Sequence, residues 1–519
     1  MIRMNQLISI QKNAFWLPVV LATLAPFINF AAENVGEDLP VIWLLASALG
    51  ISTTLLLLVL VFAPLGRLVM SRVAFVLSVL VILFFGFSAV RELTGASGMS
   101  LHAIHVALML LGCGAAWRVS KRGLAWQVWL TVLSTMVMGS ALLYVFRASH
   151  LKSVNEQKHL ALDATPPKLA RSLPARNLPN VYYLTLDSYP RADTLKEVFH
   201  FDNSPFLEFL KSKGFLVGEK SYTNYMATYL EVPAALEQRY IVTESDTDFW
   251  NDLPTLLTIF DGRNQVFKNF RDLGYYVAKL TFLTECPPHT YVNYCYGYDE
   301  KNGSNDMRPM ELTFAFLRMT PLHDILTKPF SEIFHRNIAV RNMDHVIDMA
   351  RNFDAPVPKF LFSHILLPHL PYIFTGNCDE AKEVDMDGSR SPDPKIPFLE
   401  ATRCANKKTQ EFVEYIVRND PDSIVLINSD HGSPFTVDWS VDYDKWPESA
   451  IRERYGNLNA MRLPEQCKKY FYDSISPVNY FELVFACIEH RTPHFLEDRI
   501  YISSFAKSHK QYGQVWRYR

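Results

Sequence analysis

Hydrophobic and polar positions along the chain change pattern near residue 148. Before it, apolar residues gather in five blocks, at 13–32, 40–63, 70–90, 100–117 and 124–146. Each is close to the roughly 20 residues that a helix needs to cross a bilayer. After it, apolar positions come in short branched or aromatic runs broken by polar turns, the pattern of a globular domain with buried strands. The first block reads as a span and not as a cleavable signal, because four further spans follow.

The loops between the blocks set an orientation. Arg3 and Lys12 precede the first block, Arg67 and Arg72 lie between the second and third, and Arg118, Lys121 and Arg122 lie between the fourth and fifth. The alternate loops carry Glu33, Glu37, Asp38 and a single arginine, Arg91. Positive loops stay in the cytoplasm, so the N-terminus is expected there, and an odd number of spans sends everything after residue 147 to the outer side. Residues 148–178 have mixed charge and Pro166, Pro167 and Pro174. They read as a connector with a short amphipathic helix on the membrane. The expected organisation is therefore a transmembrane domain at 1–147, a connector at 148–178 and an outer domain at 179–519.

Within the outer domain, Val181-Tyr-Tyr-Leu-Thr-Leu186, Tyr275–Leu280, a run from Lys359 and Ser423–Ser429 read as strands, with a late strand near 498–502. Helices are expected at 204–213 (closed by Gly214), around 310–352, at 398–418 and from Ser476. Thr228-Tyr-Leu-Glu231 has the form of a capping box opening another helix. Arg336 and Arg341 read as a solvated helical face.

The 519 residues suffice for two or three domains, and a net charge of −2 gives no polybasic signal, so no nucleic-acid partner is indicated. Of seven cysteines, only Cys113 lies in the apolar part. The other six, Cys286, Cys295, Cys378, Cys404, Cys467 and Cys487, fall in the outer part, where oxidation is favoured. Cys286/Cys295 and Cys378/Cys404 have loop-like surroundings suited to pairing, and Cys487 reads equally as a buried thiol.

Chemistry concentrates at strand ends. The apolar run 423–429 stops at Asp430-His431-Gly432, two potential metal ligands on a turn. Asp187 ends the run 181–186 in the same way, and open α/β sheets bind ligands at the carboxyl ends of their strands. Thr228 at a helix start sits among free N–H groups, which suits a phosphate or sulfate ester, and a metal would lower its hydroxyl pKa and make it a nucleophile. His364 and His369 lie at the end of a further strand. Pro368 argues against a helix there, and His369, in a rigid Pro-His-x-Pro loop, is the stronger candidate of the two. His102 and His105, in the fourth block, read as interface residues or partners in a helix–helix hydrogen bond, with a lipid headgroup contact as the sharper alternative.

In this order, Asp187, Thr228, His369 and Asp430-His431-Gly432 resemble the sulfatase-like branch of the alkaline phosphatase superfamily. Five spans followed by an outward domain look like the bacterial inner-membrane phosphoethanolamine transferases and the lipoteichoic acid synthases. The resemblance covers most of residues 179–505 by motif order. It implies a five-helix membrane bundle joined to a soluble α/β domain with a central, mostly parallel sheet flanked by helices. It implies a metal, zinc or manganese, on Asp187, Thr228, Asp430 and His431, with Thr228 as nucleophile and His369 and His364 binding substrate or a second metal. The implied reaction moves a phosphoethanolamine- or phosphoglycerol-type headgroup from a phospholipid donor to an envelope glycan or glycolipid, by way of a phosphothreonine, at the periplasmic face of the inner membrane. Two departures stand out. Relatives often have Glu where this chain has Asp187, and often Ser where it has Glu231. Ser188-Tyr-Pro-Arg191 echoes a sulfatase nucleophile motif but directly follows the expected metal ligand, so sulfate hydrolysis is disfavoured. A membrane-bound phosphodiesterase or sulfatase, and a non-catalytic scaffold retaining the fold, are the alternatives.

Overall fold

The computed structural model describes residues 14–34, 41–96, 98–163, 178–244, 249, 253–281, 291–296, 316–323, 346–351, 357–385, 391–438, 445–503 and 515–518. The chain divides into two compact units, Met1–Glu156 with Asp306–Ser331, and Gln157–Asn305 with Glu332–Arg519.

The first unit is helical. Leu17–Glu33 packs on Val41–Leu60 and on Arg67–Phe85, and the latter packs on Gly98–Val119. Among the described residues, three helices are long and apolar enough to cross a membrane: Arg67–Phe85, Gly98–Val119 and Gly123–Ser149. The first two expected spans correspond to the helices Leu17–Glu33, of 17 residues, and Val41–Leu60, of 20 residues. Seventeen residues rise only about 26 Å as a helix. The third expected span ends early, at Gly86, and a separate helix, Phe87–Thr94, follows.

The expected break at the connector is displaced. One helix runs from Gly123 to Asp163, because neither proline nor glycine interrupts it between Gly139 and Pro166. Residues 164–177 lie outside the described residues.

Asp306–Ser331 falls inside the range expected for the outer domain yet clusters with the helical unit. Phe316 stands against Phe27, Phe30 and Phe85 at ring centroid distances of 4.2, 5.4 and 5.1 Å, and the Phe87 N–H donates to Met319 O. Most of the helix expected around 310–352, with Arg336 and Arg341, lies outside the described residues.

The second unit is built on a seven-stranded sheet. Its strands are β1 (Val181–Leu186), β2 (Leu216–Val217), β3 (Tyr276–Thr281), β4 (Tyr294–Tyr296), β5 (Lys359–Ile365), β8 (Ile424–Ser429) and β9 (Asn459–Arg462), in the order β2-β9-β8-β1-β5-β3-β4. The pairings β8-β1-β5-β3-β4 are parallel, and β9 pairs antiparallel with both β8 and β2. The hairpin β6 (Tyr372–Phe374) and β7 (Glu380–Asp385), and the pair β10 (Tyr501–Ser503) and β11 (Val515–Arg517), stand apart from this sheet. The late strand expected near 498–502 is thus a member of a small separate ribbon.

β1, the middle strand, is buried on both faces, which explains its unbroken apolar run. Alternate residues serve opposite faces. Tyr182, Leu184 and Leu186 share a core with Phe398 and Phe412 of helix Lys395–Asn419. Val181 and Tyr183 share the opposite core with Val232, Phe270 and Phe481. Disulfides join Cys378 to Cys404, as the flanking sequence suggests, and Cys467 to Cys487, so Cys487 is not a free thiol. Cys295 is disulfide-bonded, and Cys286 lies outside the described residues.

Candidate metal centre

The parallel register brings three strand ends together. Thr185 of β1 lies opposite His364 of β5 and Asn428 of β8, and Leu186 opposite Ile365 and Ser429. Asp187 and Asp430 therefore emerge side by side, one residue beyond their strands. The Asp187 N–H donates to Ile365 O at 2.9 Å and extends the ladder.

His364 Nε2 lies 3.3 Å from Asp430 Oδ2 and 3.8 Å from Asp187 Oδ2. His431 Nε2 lies 3.6 Å from Asp187 Oδ1 and 3.8 Å from Asp430 Oδ2. The Thr228 hydroxyl donates to Asp430 Oδ2 at 2.7 Å and stands 3.4 Å from His431 Nε2. Asp187, His364 and Asp430 each offer a ligand atom within 4.8 Å of the others, and all three are buried.

Five of the six sequence candidates thus converge. The sixth, His369, is adjacent: its N–H donates to Asp187 O at 3.1 Å, and its ring centroid lies 6.3 Å from that of His431. The order of preference between the two strand-end histidines is reversed. His364, on β5, faces both carboxylates, whereas His369, on the loop beyond it, stands one layer out. Strand periodicity decides this, because His364 shares the face of Phe360 and Phe362 and is carried into the cluster by the pleat.

The capping box expected at Thr228 does not form. Ala227 is the N-cap, so Thr228 is already the first residue of helix Thr228–Glu237, and its hydroxyl is directed to Asp430. Glu231 turns back further, accepting from the Tyr225 N–H at 2.6 Å. Ser188 is also excluded as a nucleophile. It is buried, its N–H donates to Asp430 Oδ1 and its hydroxyl to Gly432 O. Arg191 of the same motif is held by Asp193 and Ser221 O.

The electrostatics suit a cation. Burial and the neighbouring Asp430 charge push the Asp187 carboxyl well above its ordinary range. Burial also acts to raise Asp430, but the His431, His364 and Thr228 groups around it outweigh burial and hold it below the usual carboxylate range. Burial and the Arg454 guanidinium lower His431 to about 3, so its imidazole is neutral. Since His431 Nδ1 lies 3.0 Å from Gly432 O, the neutral ring donates there and presents its Nε2 lone pair to the carboxylates. Burial likewise lowers His369, whose Nδ1 lies 2.7 Å from Leu370 O.

Asp187 Oδ1 is buried and has no hydrogen-bond donor. Two buried carboxylates with an undonated oxygen and two imidazoles fit a divalent metal, because a buried charge is stable only when paired or coordinated.

Sequence reasoning passed over the shell behind the cluster. Arg454 donates from Nη1 to Gly432 O at 2.9 Å and from Nη2 to Met226 O at 2.5 Å. The Glu453 carboxylate accepts from Ser433 Oγ, the Phe435 and Thr436 N–H groups and the Thr436 hydroxyl. In Ile-Arg-Glu-Arg-Tyr these residues look like the charged face of a surface helix, and only tertiary placement buries them. Gly432, by contrast, carried a signal in its motif. A Cβ there would lie 1.9 Å from Glu453 O.

His105, in the helical unit, is buried without a hydrogen-bond partner, so the helix–helix bond considered for it does not form. Its ring packs edge-on against Phe87.

No family model matches the chain, and a search of curated proteins finds no match. Among solved structures, the chain is similar to the C-terminal periplasmic domain of EcEptC from Escherichia coli in complex with Zn. The identity is 13% and the TM-score 0.42, over 68% of this chain and 97% of that one. It is similar to the integral membrane protein lipooligosaccharide phosphoethanolamine transferase A (EptA) from Neisseria meningitidis at 14% identity and a TM-score of 0.39, over 92% and 96% of the two chains. It is also similar to the lipoteichoic acid synthase LtaP from Listeria monocytogenes at 11% identity and a TM-score of 0.35, over 67% and 83%.

Proposed function

We propose that the protein is a metal-dependent transferase of the sulfatase-like type, anchored by five membrane helices with its α/β unit on the periplasmic side. In this reading it moves a phosphoethanolamine- or phosphoglycerol-type headgroup from a phospholipid to an envelope glycan or glycolipid. The observation that carries the reading is the Thr228 hydroxyl, at the start of a helix, 2.7 Å from Asp430 Oδ2 and 3.4 Å from His431 Nε2.

Asp187, His364, Asp430, His431 and Thr228 would hold the metal, zinc or manganese by the chemistry of oxygen and imidazole donors. When bound, the metal supplies positive charge that favours deprotonation of the Thr228 hydroxyl and offsets charge on the phosphoryl oxygens. Thr228 Oγ1 forms the new bond to phosphorus, and the bond from phosphorus to the glycerol oxygen of the lipid breaks. The hydroxyl proton, which points at Asp430 Oδ2, ends on that departing oxygen, so diacylglycerol leaves as an alcohol. The positive end of the dipole of helix Thr228–Glu237 favours the phosphoryl negative charge.

In the second step an acceptor hydroxyl attacks the phosphothreonine, its proton passes to Thr228 Oγ1, and the free threonine is restored. His369, with Nδ1–H given to Leu370 O, presents Nε2 to the incoming hydroxyl or to a second cation. Hydrolysis is the same sequence with water as the second nucleophile.

The test is incubation of the detergent-purified full-length protein with headgroup-labelled phospholipid, with and without envelope glycolipid. Label appearing on the glycolipid supports transfer. Release of free headgroup phosphate as the sole product would replace transfer by phosphodiester hydrolysis, and no turnover with any phosphodiester would leave the scaffold reading.

A further inference from the structure

We infer that Arg454 is a positioning residue that sets the distance between the Thr228 hydroxyl and the Asp430-His431 loop. The inference rests on the proposed function for its catalytic meaning and on the geometry alone for the clamp itself.

Two irregular segments must meet for the cluster to exist. Residues 223–227, which lead into Thr228, and 430–434, which carry Asp430 and His431, are neither helix nor strand. No ladder therefore fixes one against the other. Arg454 spans both. Its Nη2 donates to Met226 O, two residues before Thr228, and its Nη1 donates to Gly432 O, one residue after His431. The Gly432 N–H returns a bond to Arg454 O at 2.7 Å.

The guanidinium is planar, so its two terminal nitrogens are a rigid spacer. Met226 O and Gly432 O are thereby held at one separation, and with them the 2.7 Å contact from Thr228 to Asp430. Gly432 O also accepts from the Ser188 hydroxyl and lies 3.0 Å from His431 Nδ1. The clamp therefore reaches the β1 end and the tautomer of His431 through one carbonyl. Arg454 belongs to the last turn of helix Glu448–Tyr455 and is buried. Its two terminal nitrogens bond backbone carbonyls of the two segments, and the clamp acts through these.

The experiment uses the full-length protein in detergent, with Arg454→Met, Arg454→Lys and Arg454→Ala variants. Three quantities are read: zinc affinity, kcat and KM for bis(p-nitrophenyl) phosphate, and the response of Arg454→Ala to ethylguanidinium. For Arg454→Met, zinc affinity is expected to fall about tenfold or more. The kcat is expected to fall on the order of 10²-fold with KM within about twofold, as misplacement of a reactive group produces. Ethylguanidinium is expected to restore at least about a tenth of the lost kcat in Arg454→Ala and to leave the parent unchanged.

Zinc affinity and kcat both within twofold of the parent would overturn the assignment. So would a kcat loss that tracks a lowered melting temperature and ignores ethylguanidinium. Should Arg454→Met fail to fold, Arg454→Lys, which keeps the charge but not the fork, decides on the same criteria. A parent that binds zinc but cleaves no phosphodiester counts against the proposed function, and in that case the zinc affinities alone decide on the clamp.

Discussion

Thr228 and Asp430 are separated by 202 positions in the chain, and their side chains meet at 2.7 Å. The contact places a hydroxyl between a buried carboxylate and a neutral imidazole. Thr228→Ser keeps that hydroxyl and is expected to retain turnover within about tenfold of the parent, whereas Thr228→Ala is expected to lose on the order of 10³-fold or more. Both variants keep Asp187, His364, Asp430 and His431, so both should bind zinc. Mass spectrometry of parent protein quenched with phospholipid should show the headgroup phosphodiester, phosphoethanolamine or phosphoglycerol, on the peptide containing Thr228. Turnover by Thr228→Ala at the parent's rate would remove Thr228 from the chemistry.

Asp187 gives a dependence on pH with a definite sign. Its carboxyl is pushed up in the folded protein by burial and by Asp430. A raised folded value means that the metal-free fold binds a proton more tightly than the unfolded chain does. The stability this contributes is complete below the unfolded value of about 3.9 and is lost as pH rises through the folded value. Asp430 moves the other way, so its effect falls below about 3.9 and outside this window. In chelated protein the Asp187 contribution falls as pH rises above about 4, while His431, lowered to about 3, contributes a rise between about 3 and 6.5. The readout is therefore the difference between the two proteins: the melting temperature of Asp187→Asn should gain on the parent's as pH rises. Asp187→Asn should also abolish the stabilisation that added zinc gives the parent. Identical slopes in parent and variant, measured by thermal melts across pH, would count against a strained carboxylate here.

Legibility divides along a physical line. The strands that carry the site were readable because β1 and β8 are buried on both faces and so appear as unbroken apolar runs ending in an acid. Which histidine joins the cluster was not readable, since that depends on the pleat of β5 relative to its neighbours and not on spacing. The place of Thr228 at a helix start was legible, but the cap itself moved one position, because the hydroxyl has a partner 202 residues away. Arg454 and Glu453 had no sequence signal at all. Charges in a short helix normally face water, and here the turn after Asp430 closes over them. In the helical unit, hydropathy located apolar blocks that the described helices occupy but could not foresee that Gly86 ends one helix early or that residues near 316 return to pack on Phe27 and Phe85.

Gly432 tests how tightly the loop is closed. A Cβ there would stand 1.9 Å from Glu453 O and 3.0 Å from Gly456 O, both backbone atoms that cannot rotate away. Gly432→Ala must displace the helix end or the loop, at a cost of roughly 1–3 kcal/mol. Because His431 precedes it, zinc affinity should fall together with stability. An alanine variant with the parent's melting temperature and zinc affinity would show that the loop tolerates the shift.

Phe316 makes a separate prediction for the helical unit. It is half-buried against Phe27, Phe30 and Phe85. On the proposed membrane placement of these helices the hydrophobic effect between them is weak, so packing carries the contact. Phe316→Ala should destabilise the helical unit in detergent by roughly 1–3 kcal/mol, below the cost of truncating a fully buried phenylalanine, and Phe316→Leu should recover part of it. Zinc binding, which depends on residues of the other unit, should be unchanged. An unchanged detergent melt in Phe316→Ala would mean that the aromatic contact carries no stability.

Glu453 is surrounded by donors alone: Ser433 Oγ at 2.6 Å, the Phe435 N–H at 2.8 Å, the Thr436 N–H at 2.7 Å and the Thr436 hydroxyl. A carboxylate has acceptor sites for all four. Glutamine has the same shape but one acceptor oxygen, and its NH₂ would face donors. Glu453→Gln therefore loses charged hydrogen bonds and leaves buried donors unmet, at roughly 2–4 kcal/mol. The segment it releases, 433–436, follows Asp430-His431-Gly432 directly, so the loss should reach the metal cluster. The expected result is a lowered melting temperature together with weaker zinc binding. Glu453→Ala, which leaves space for water to reach the same donors, should be no worse than Glu453→Gln. A glutamine variant that melts and binds zinc like the parent would show that the 433–436 turn holds its shape without the carboxylate.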